Sequence, residues 1–525
     1  MTLPRLALGA FAVAALLACA EREPLPETLY QEAYRPQFHF TPVKNWMNDP
    51  NGLVFFDGEY HLFYQYNPFG IRWGHMSWGH AVSPDLVRWE HLPVAIPEKD
   101  GVMIFSGSVV VDWKNSSGFG RNGAPPLVAV YTGHRERERI QTQDVAFSND
   151  RGRTWAHYEK NPVLDRGLPD FRDPKVFWHE AGPYWVMVLA LPADRKVSFY
   201  SSRDLKQWNH LSDFGPAGAV ESIWEVPDLF QLPVEGEPGQ AKWVLTVSIG
   251  ADSRGSGSAC QYFVGHFDGK RFVAENDGPA SFGRRETTTR WVDYGRDFYA
   301  AISFSDIPPE DGRRIWLGWL NNWQYGQDLP TDPWRGAQSI PRELKLKRLN
   351  GRLHLVQQPV AELAKLRGEH LRLSETIVEG TFPLEKRGMS GKGLEIQAVF
   401  EPGTASEFGL KVRVGKGEET LVGYDTKRGM VFVDRTRSGR SDFHPKFADR
   451  HSGPLAAQPG RIRLHIFVDR SSVEAFAGEG ETVLTDLIFP SSASQGLELF
   501  ASGGSAKLVR LDVWKLRSIW DETAP

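Results

Sequence analysis

Cysteine is nearly missing from this chain. Only Cys19 and Cys260 occur in 525 residues, so no disulfide framework supports the fold, and Cys260 reads as a small buried hydrophobe. A basic excess is missing too: 61 Lys and Arg stand against 65 Asp and Glu, for a net charge of -4. That excludes the electrostatic footprint of a nucleic-acid binder and implies no polyanionic partner. What is plentiful is 18 Trp, 14 Tyr, 31 Phe, 51 Gly and 35 Pro, the mix of many short strands joined by turns. The composition, 41% hydrophobic and 24% charged, is that of a globular protein long enough for two or three domains. It reads as all-β.

Residues 1–19 carry Arg5 and the apolar run from Leu6 to Leu17, the pattern of an export signal and too short for a membrane span. Ala18-Cys19-Ala20 fits small-x-small cleavage. Leu16-Leu17-Ala18-Cys19 resembles a bacterial lipobox, with Cys19 as the lipidated residue and Leu17 an unusual occupant. Both routes stay open, lipidation being favoured. A membrane thus enters only through an N-terminal lipid anchor, and ordinary secretion is the alternative. Residues 20–37, rich in Pro and Glu at their start, are expected to form a solvated tether.

From residue 38 to 345 a pattern repeats. Ser83-Pro84-Asp85-Leu86-Val87-Arg88-Trp89, Ser148-Asn149-Asp150-Arg151-Gly152-Arg153-Thr154-Trp155 and Ser202-Arg203-Asp204-Leu205-Lys206-Gln207-Trp208 are one turn written three times, with a weaker copy at Phe267-Asp268-Gly269-Lys270-Arg271-Phe272. Their period of about 60 residues predicts repeated sheets, about five blades of a β-propeller. A linker is expected over 346–370, holding a short helix between Pro359 and Gly368. Over 371–518 apolar and polar residues alternate, as in Leu394-Glu395-Ile396-Gln397-Ala398-Val399-Phe400, which predicts a C-terminal β-sandwich.

Trp46-Met47-Asn48-Asp49-Pro50-Asn51-Gly52 has the residues of a tight turn that would fix the Asp49 carboxylate. Set against the blade period, Asp49 opens the first unit, Phe105-Ser106-Gly107-Ser108 the second, Arg172-Asp173-Pro174 the third, Trp224-Glu225-Val226-Pro227 the fourth and Asp293-Tyr294-Gly295-Arg296-Asp297 the fifth. Matching positions in a propeller converge on its channel, so Asp49, Asp173 and Glu225 are expected to face one cavity. Singly, each has a bland reading as a surface turn, ion pair or strand edge; in phase, they point to glycosidic chemistry, which uses paired carboxylates.

These motifs, together with Trp73-Gly74-His75-Met76-Ser77-Trp78-Gly79-His80-Ala81, Trp334 to Leu344 and Asp469-Arg470-Ser471-Ser472-Val473-Glu474, resemble those of glycoside hydrolase family 32, the fructan hydrolases and invertases. The resemblance runs from about Phe38 to Trp514. It implies a five-bladed propeller followed by a β-sandwich, retaining release of terminal fructose, and no cofactor. By position it makes Asp49 the nucleophile, Glu225 the acid/base and Asp173 with Arg172 the grip on ring hydroxyls. Asn48, Gln65, Trp73, Phe105 and Ser106 would shape the pocket, and Trp323 would be a sugar platform of the exo-fructanase kind. Levan or inulin is favoured over sucrose. A fructosyltransferase of this fold, or a propeller that binds fructan without chemistry, stays as an alternative, and linkage preference and oligomeric state are left open. Where the family carries Cys after the acid/base, this chain has Val226.

Other features carry less. Gly118-Phe119-Gly120-Arg121-Asn122-Gly123 formally matches a dinucleotide fingerprint, but Pro125-Pro126 follows and no helix can start there. His61, His75 and His80 read as core or rim residues rather than a metal site, and Arg135 to Arg139 as a solvated loop.

Overall fold

The computed structural model describes residues 29–251, 257–275, 280–282, 285–287, 289–455 and 460–520. The export signal, Cys19 and the first part of the tether lie outside them. Residues 29–37 are no free tether. The Arg35 guanidinium is buried, donates to Thr41 Oγ1 at 3.0 Å and to the Pro42 carbonyl at 2.7 Å, and stacks 3.8 Å over the Trp334 ring.

Five four-stranded antiparallel blades surround a channel. Their inner strands are Asn45–Phe56, Val102–Val111, Arg172–His179, Trp224–Glu235 and Tyr299–Ser303. Each packs on the next, and the fifth returns to the first. Trp334–Arg335 clasps the ring by adding in parallel to Asn45–Trp46. The repeated turns join the third and fourth strands of blades one to four. In each an Asp Oδ1 accepts nearby backbone N–H groups: Asp85 from Val87 and Arg88, Asp150 from Thr154, Asp204 from Lys206 and Gln207, Asp268 from Lys270 and Arg271. This local bonding is why the turn is written in the sequence so plainly.

Three expectations need correction. The heptad around Asp49 is not a tight turn; it lies inside the first inner strand, buried and interrupted by two bulges. The fifth unit does not place Asp293–Asp297 in the channel. That segment precedes the inner strand, and Asp293 accepts from Arg342 of blade five at 3.1 Å and from Thr485 Oγ1 of the second domain at 2.6 Å. The stretch assigned to a linker is mostly strand: Arg342–Leu349 and Arg352–Pro359 complete blade five. The helical turn is a 3-10 segment, Ala361–Leu366, entered after Pro359 has ended its strand.

The second domain is a sandwich built on two long strands, Arg367–Pro383 and Gly496–Leu516. The first half of Gly496–Leu516 pairs with Glu407–Gly415 and its second half with Leu394–Glu401, so one strand serves both sheets. It bends at Gly503 and Gly504, whose φ values of 68° and 141° suit glycine. Aliphatic residues from both sheets fill one core.

Buried charge joins the domains. His39 Nδ1 meets Asp469 Oδ2 at 2.8 Å and its Nε2 meets Glu474 Oε1 at 2.9 Å. Arg342 pairs with Glu474 and Asp293, and Arg435 donates to Asp297 Oδ2 at 2.6 Å. Burial works against the His39 cation, but the two carboxylates outweigh it and raise its pKa to about 9.

Candidate active site

A bulge inserts a residue and re-aims its neighbours. All five inner strands are bulged at one level: at Asn51/Val54, Ile104/Gly107, Arg172/Lys175, Glu225/Asp228 and Tyr299/Ile302. Four of these carry a left-handed residue, Gly52, Asp173, Val226 and Ala300, with φ of 54°, 67°, 45° and 52°. For the β-branched Val226 this conformation is strained. Its backbone N–H holds it there by donating to Asp173 Oδ2 at 3.0 Å. At this position, then, the chain offers the site a backbone donor, with the Val226 side chain packed in the core.

The bulges bring Asp49, Asp173 and Glu225 to one mouth of the channel. Ser106 Oγ donates to Asp49 Oδ2 at 2.7 Å, and Asn48 Nδ2 to Oδ1 at 3.1 Å. Asn48 is itself fixed by Trp46 Nε1 at 2.7 Å. Thr132 Oγ1 accepts the Asp173 N–H at 2.9 Å. Arg172 reaches Glu225 Oε1 with Nε at 3.2 Å and Nη2 at 3.0 Å, while its Nη1 donates to Asp170 at 2.6 Å and to Gln141 at 3.1 Å. Burial pushes Asp49 up to about 6, opposed by the Ser106 hydrogen bond and reinforced by Glu225. Burial pushes Asp173 up to about 8; Arg172 opposes this, while Glu225 and Asp49 add to it. Asp49 and Asp173, both buried and both raised, titrate as a coupled pair rather than as independent groups.

The remaining expected residues form the surroundings. Gln65 is buried and donates to the Ile104 carbonyl at 2.9 Å, holding blade two beside blade one. Phe105 stacks on His134 at 4.7 Å, and Trp73, 38% exposed, meets the Phe105 edge at 5.9 Å. Trp323 packs 4.8 Å from Trp319 and 5.9 Å from Trp46, beside the residue that fixes Asn48. His61 and His80 stack in the core at 5.3 Å, with burial lowering both.

Sequence reasoning missed Tyr299. Its buried hydroxyl donates to Glu225 Oε2 at 2.5 Å, so Glu225 is held from both sides, by Arg172 and by Tyr299. A tyrosine in a strand carries no signal of this, since its partner lies 74 residues away. Tyr299→Phe should lower kcat about tenfold with little change in KM, the loss of one hydrogen bond to a charged group. Steady-state kinetics at fixed pH check this, and a raised KM with unchanged kcat would remove Tyr299 from this positioning role.

Carboxylates brought together from separate blades are the equipment of a glycosidase-type site. The chain belongs to glycosyl hydrolase family 32: the model for the N-terminal domain of that family matches residues 39–359, and the model for its C-terminal domain matches residues 362–515. The protein is a glycoside hydrolase. It is 51% identical to the levanase of Bacillus subtilis (strain 168) over 94% of this chain and 72% of that one. It is 42% identical to the extracellular exo-inulinase of Aspergillus niger over 94% of this chain and 96% of that one. Among solved structures it resembles the exo-inulinase of Aspergillus awamori, with a TM-score of 0.87, 40% identity, and coverage of 94% of this chain and 100% of that chain. It also resembles a fructofuranosidase from Schwanniomyces occidentalis complexed with fructose, with a TM-score of 0.85, 31% identity, and coverage of 94% and 100%.

Proposed function

We propose that the protein is a retaining β-fructosidase that removes terminal fructose from levan or inulin, one unit at a time. The observation that carries this is the convergence of Asp49, Asp173 and Glu225, from three blades, close enough for their charges to act on one another. Asp49, ionised above about pH 6, attacks the anomeric carbon. Glu225, oriented by Arg172 and Tyr299, gives its proton to the departing oxygen and later takes one from the attacking water. Asp173 accepts hydrogen bonds from ring hydroxyls, bonds that strengthen as positive charge develops on the ring. Ser106 and Asn48 hold the Asp49 carboxylate in line. Gln65, Trp73, Phe105 and Trp323 enclose a single fructosyl unit.

Action on a polymer calls for a position outside the cell, which fits an export signal over residues 1–19. Among the described residues no helix is long and apolar enough to cross a membrane. Attachment through a lipid on Cys19 is the favoured route, and mass spectrometry of the mature N-terminus tests it.

Incubation with levan, inulin and sucrose, with products followed from the first minutes, tests the activity. Fructose alone should accumulate early from the polymers. A ladder of short oligomers without free fructose, or chains longer than those supplied, would overturn the exo-hydrolytic reading.

A further inference from the structure

The inner strands that begin at the carboxylates end at a second opening. A cavity of about 390 Å³ lies there, lined from blades two to five by residues such as Val111, Trp178, Phe230 and Asp306. Ser106 to Val111, Asp173 to Trp178 and Glu225 to Phe230 are each five residues, about 17 Å of strand. Between the two openings the channel is plugged by Lys175, Asp228 and Ser303, all buried, with Lys175 Nζ donating to the Ser303 carbonyl at 2.5 Å. The cavity is therefore separate from the active site.

Three features show a built site. Trp113 is 62% exposed, yet its indole is fixed: Nε1 donates to Asp306 Oδ1 at 2.9 Å and the ring packs on Phe56 at 5.8 Å. An exposed ring held this way is a platform already ordered for a flat ligand face. The Arg314 guanidinium lines the cavity with one bond to the Phe304 carbonyl at 3.2 Å, and among the described residues no carboxylate comes within ion-pair distance of it. The indole N–H of Trp178 is buried without a partner among the described residues, beneath Lys114 Nζ at 4.4 Å from the ring.

The lining also selects the ligand class. Lys114 and Arg314 line the cavity with Glu180 and Asp306, so a strong anion meets carboxylates, and a purely apolar ligand covers the charges of Lys114, Arg314 and Glu180 without partnering them. A neutral polyhydroxylated ligand, which both donates and accepts while laying one face on tryptophan, satisfies all of them. We propose that this cavity is an accessory saccharide site that holds a segment of the polymeric substrate away from the catalytic mouth. Naming that polymer as a fructan rests on the function proposed above.

Trp113→Ala and Arg314→Gln, in the full chain, test the site. Retardation of wild-type and variant proteins in native gels containing levan or inulin, run cold so that little polymer is consumed, reads binding; kinetics on sucrose and on the polymers read its consequence. Wild type should be retarded and both variants less so. KM for the polymer should rise about fivefold, the loss of one stacking contact, while kcat/KM on sucrose stays within about twofold. Unchanged retardation and polymer KM in both variants, or an active wild type that no polymer retards, overturns the accessory site. Retardation of wild type that is lost in the variants, with no fructose released from any substrate, supports the site and instead sinks the β-fructosidase reading.

Discussion

Asp49→Asn abolishes fructoside hydrolysis, with kcat/KM falling about 10⁴-fold or more, and at the same time stabilises the fold. An amide keeps the shape and the contacts to Ser106 and Asn48 but cannot form the covalent intermediate. The stability gain follows from burial, which raises the Asp49 pKa from 3.8 to about 6. Between those values the folded chain holds a proton that the unfolded chain has released, so this residue's contribution to stability falls as pH rises through the window. Above about pH 6 the ionised carboxylate costs on the order of 3 kcal/mol, which the amide does not. The same titration predicts that wild-type kcat/KM falls as pH drops below about 6. Turnover near the wild-type rate would remove Asp49 from its role. A variant that is inactive and also less stable would show damage to the fold.

His39→Leu should loosen the contact between propeller and sandwich by about 3 kcal/mol or more, because it leaves two buried carboxylates short of their shared cation. The effect depends on pH in a fixed direction. The folded-state pKa of His39 is raised from 6.5 to about 9, so the stability it contributes is fully present below 6.5 and is lost as pH rises through about 9. Wild type should lose on the order of 3 kcal/mol across that interval from this residue alone, and His39→Leu should not. Urea unfolding of both proteins from below pH 6.5 to above pH 9 checks it. Parallel pH dependence in the two would mean that His39 is neutral in the folded protein.

What the sequence discloses depends on how local the physics is. The blade turns at Asp85, Asp150 and Asp204 are legible because each closes on backbone donors within four residues. Blade five has no such turn among the matched repeats, and the spacing points to Asp293–Asp297, the segment just before the inner strand Tyr299–Ser303. Those aspartates, with Asp469 and Glu474, prove to be docking residues, a role that exists only once two domains meet. The Asp49 heptad reads as a turn because Asn, Pro and Gly serve a strand bulge as readily as a surface turn, and only the neighbouring strands distinguish the two. Tyr299 and the second cavity were illegible for a related reason: both are made by residues from different blades, with no spacing along the chain to mark them.

The sharpest measurement is the configuration of the sugar first released. With methanol present as acceptor, the intermediate on Asp49 is intercepted as a methyl fructofuranoside, whose anomeric centre, unlike that of free fructose, does not interconvert in water. NMR of the early product should show the β-anomer alone, the outcome of two displacements, one by Asp49 and one by the acceptor. The α-anomer would mean a single displacement, and Asp49 could not then be the nucleophile.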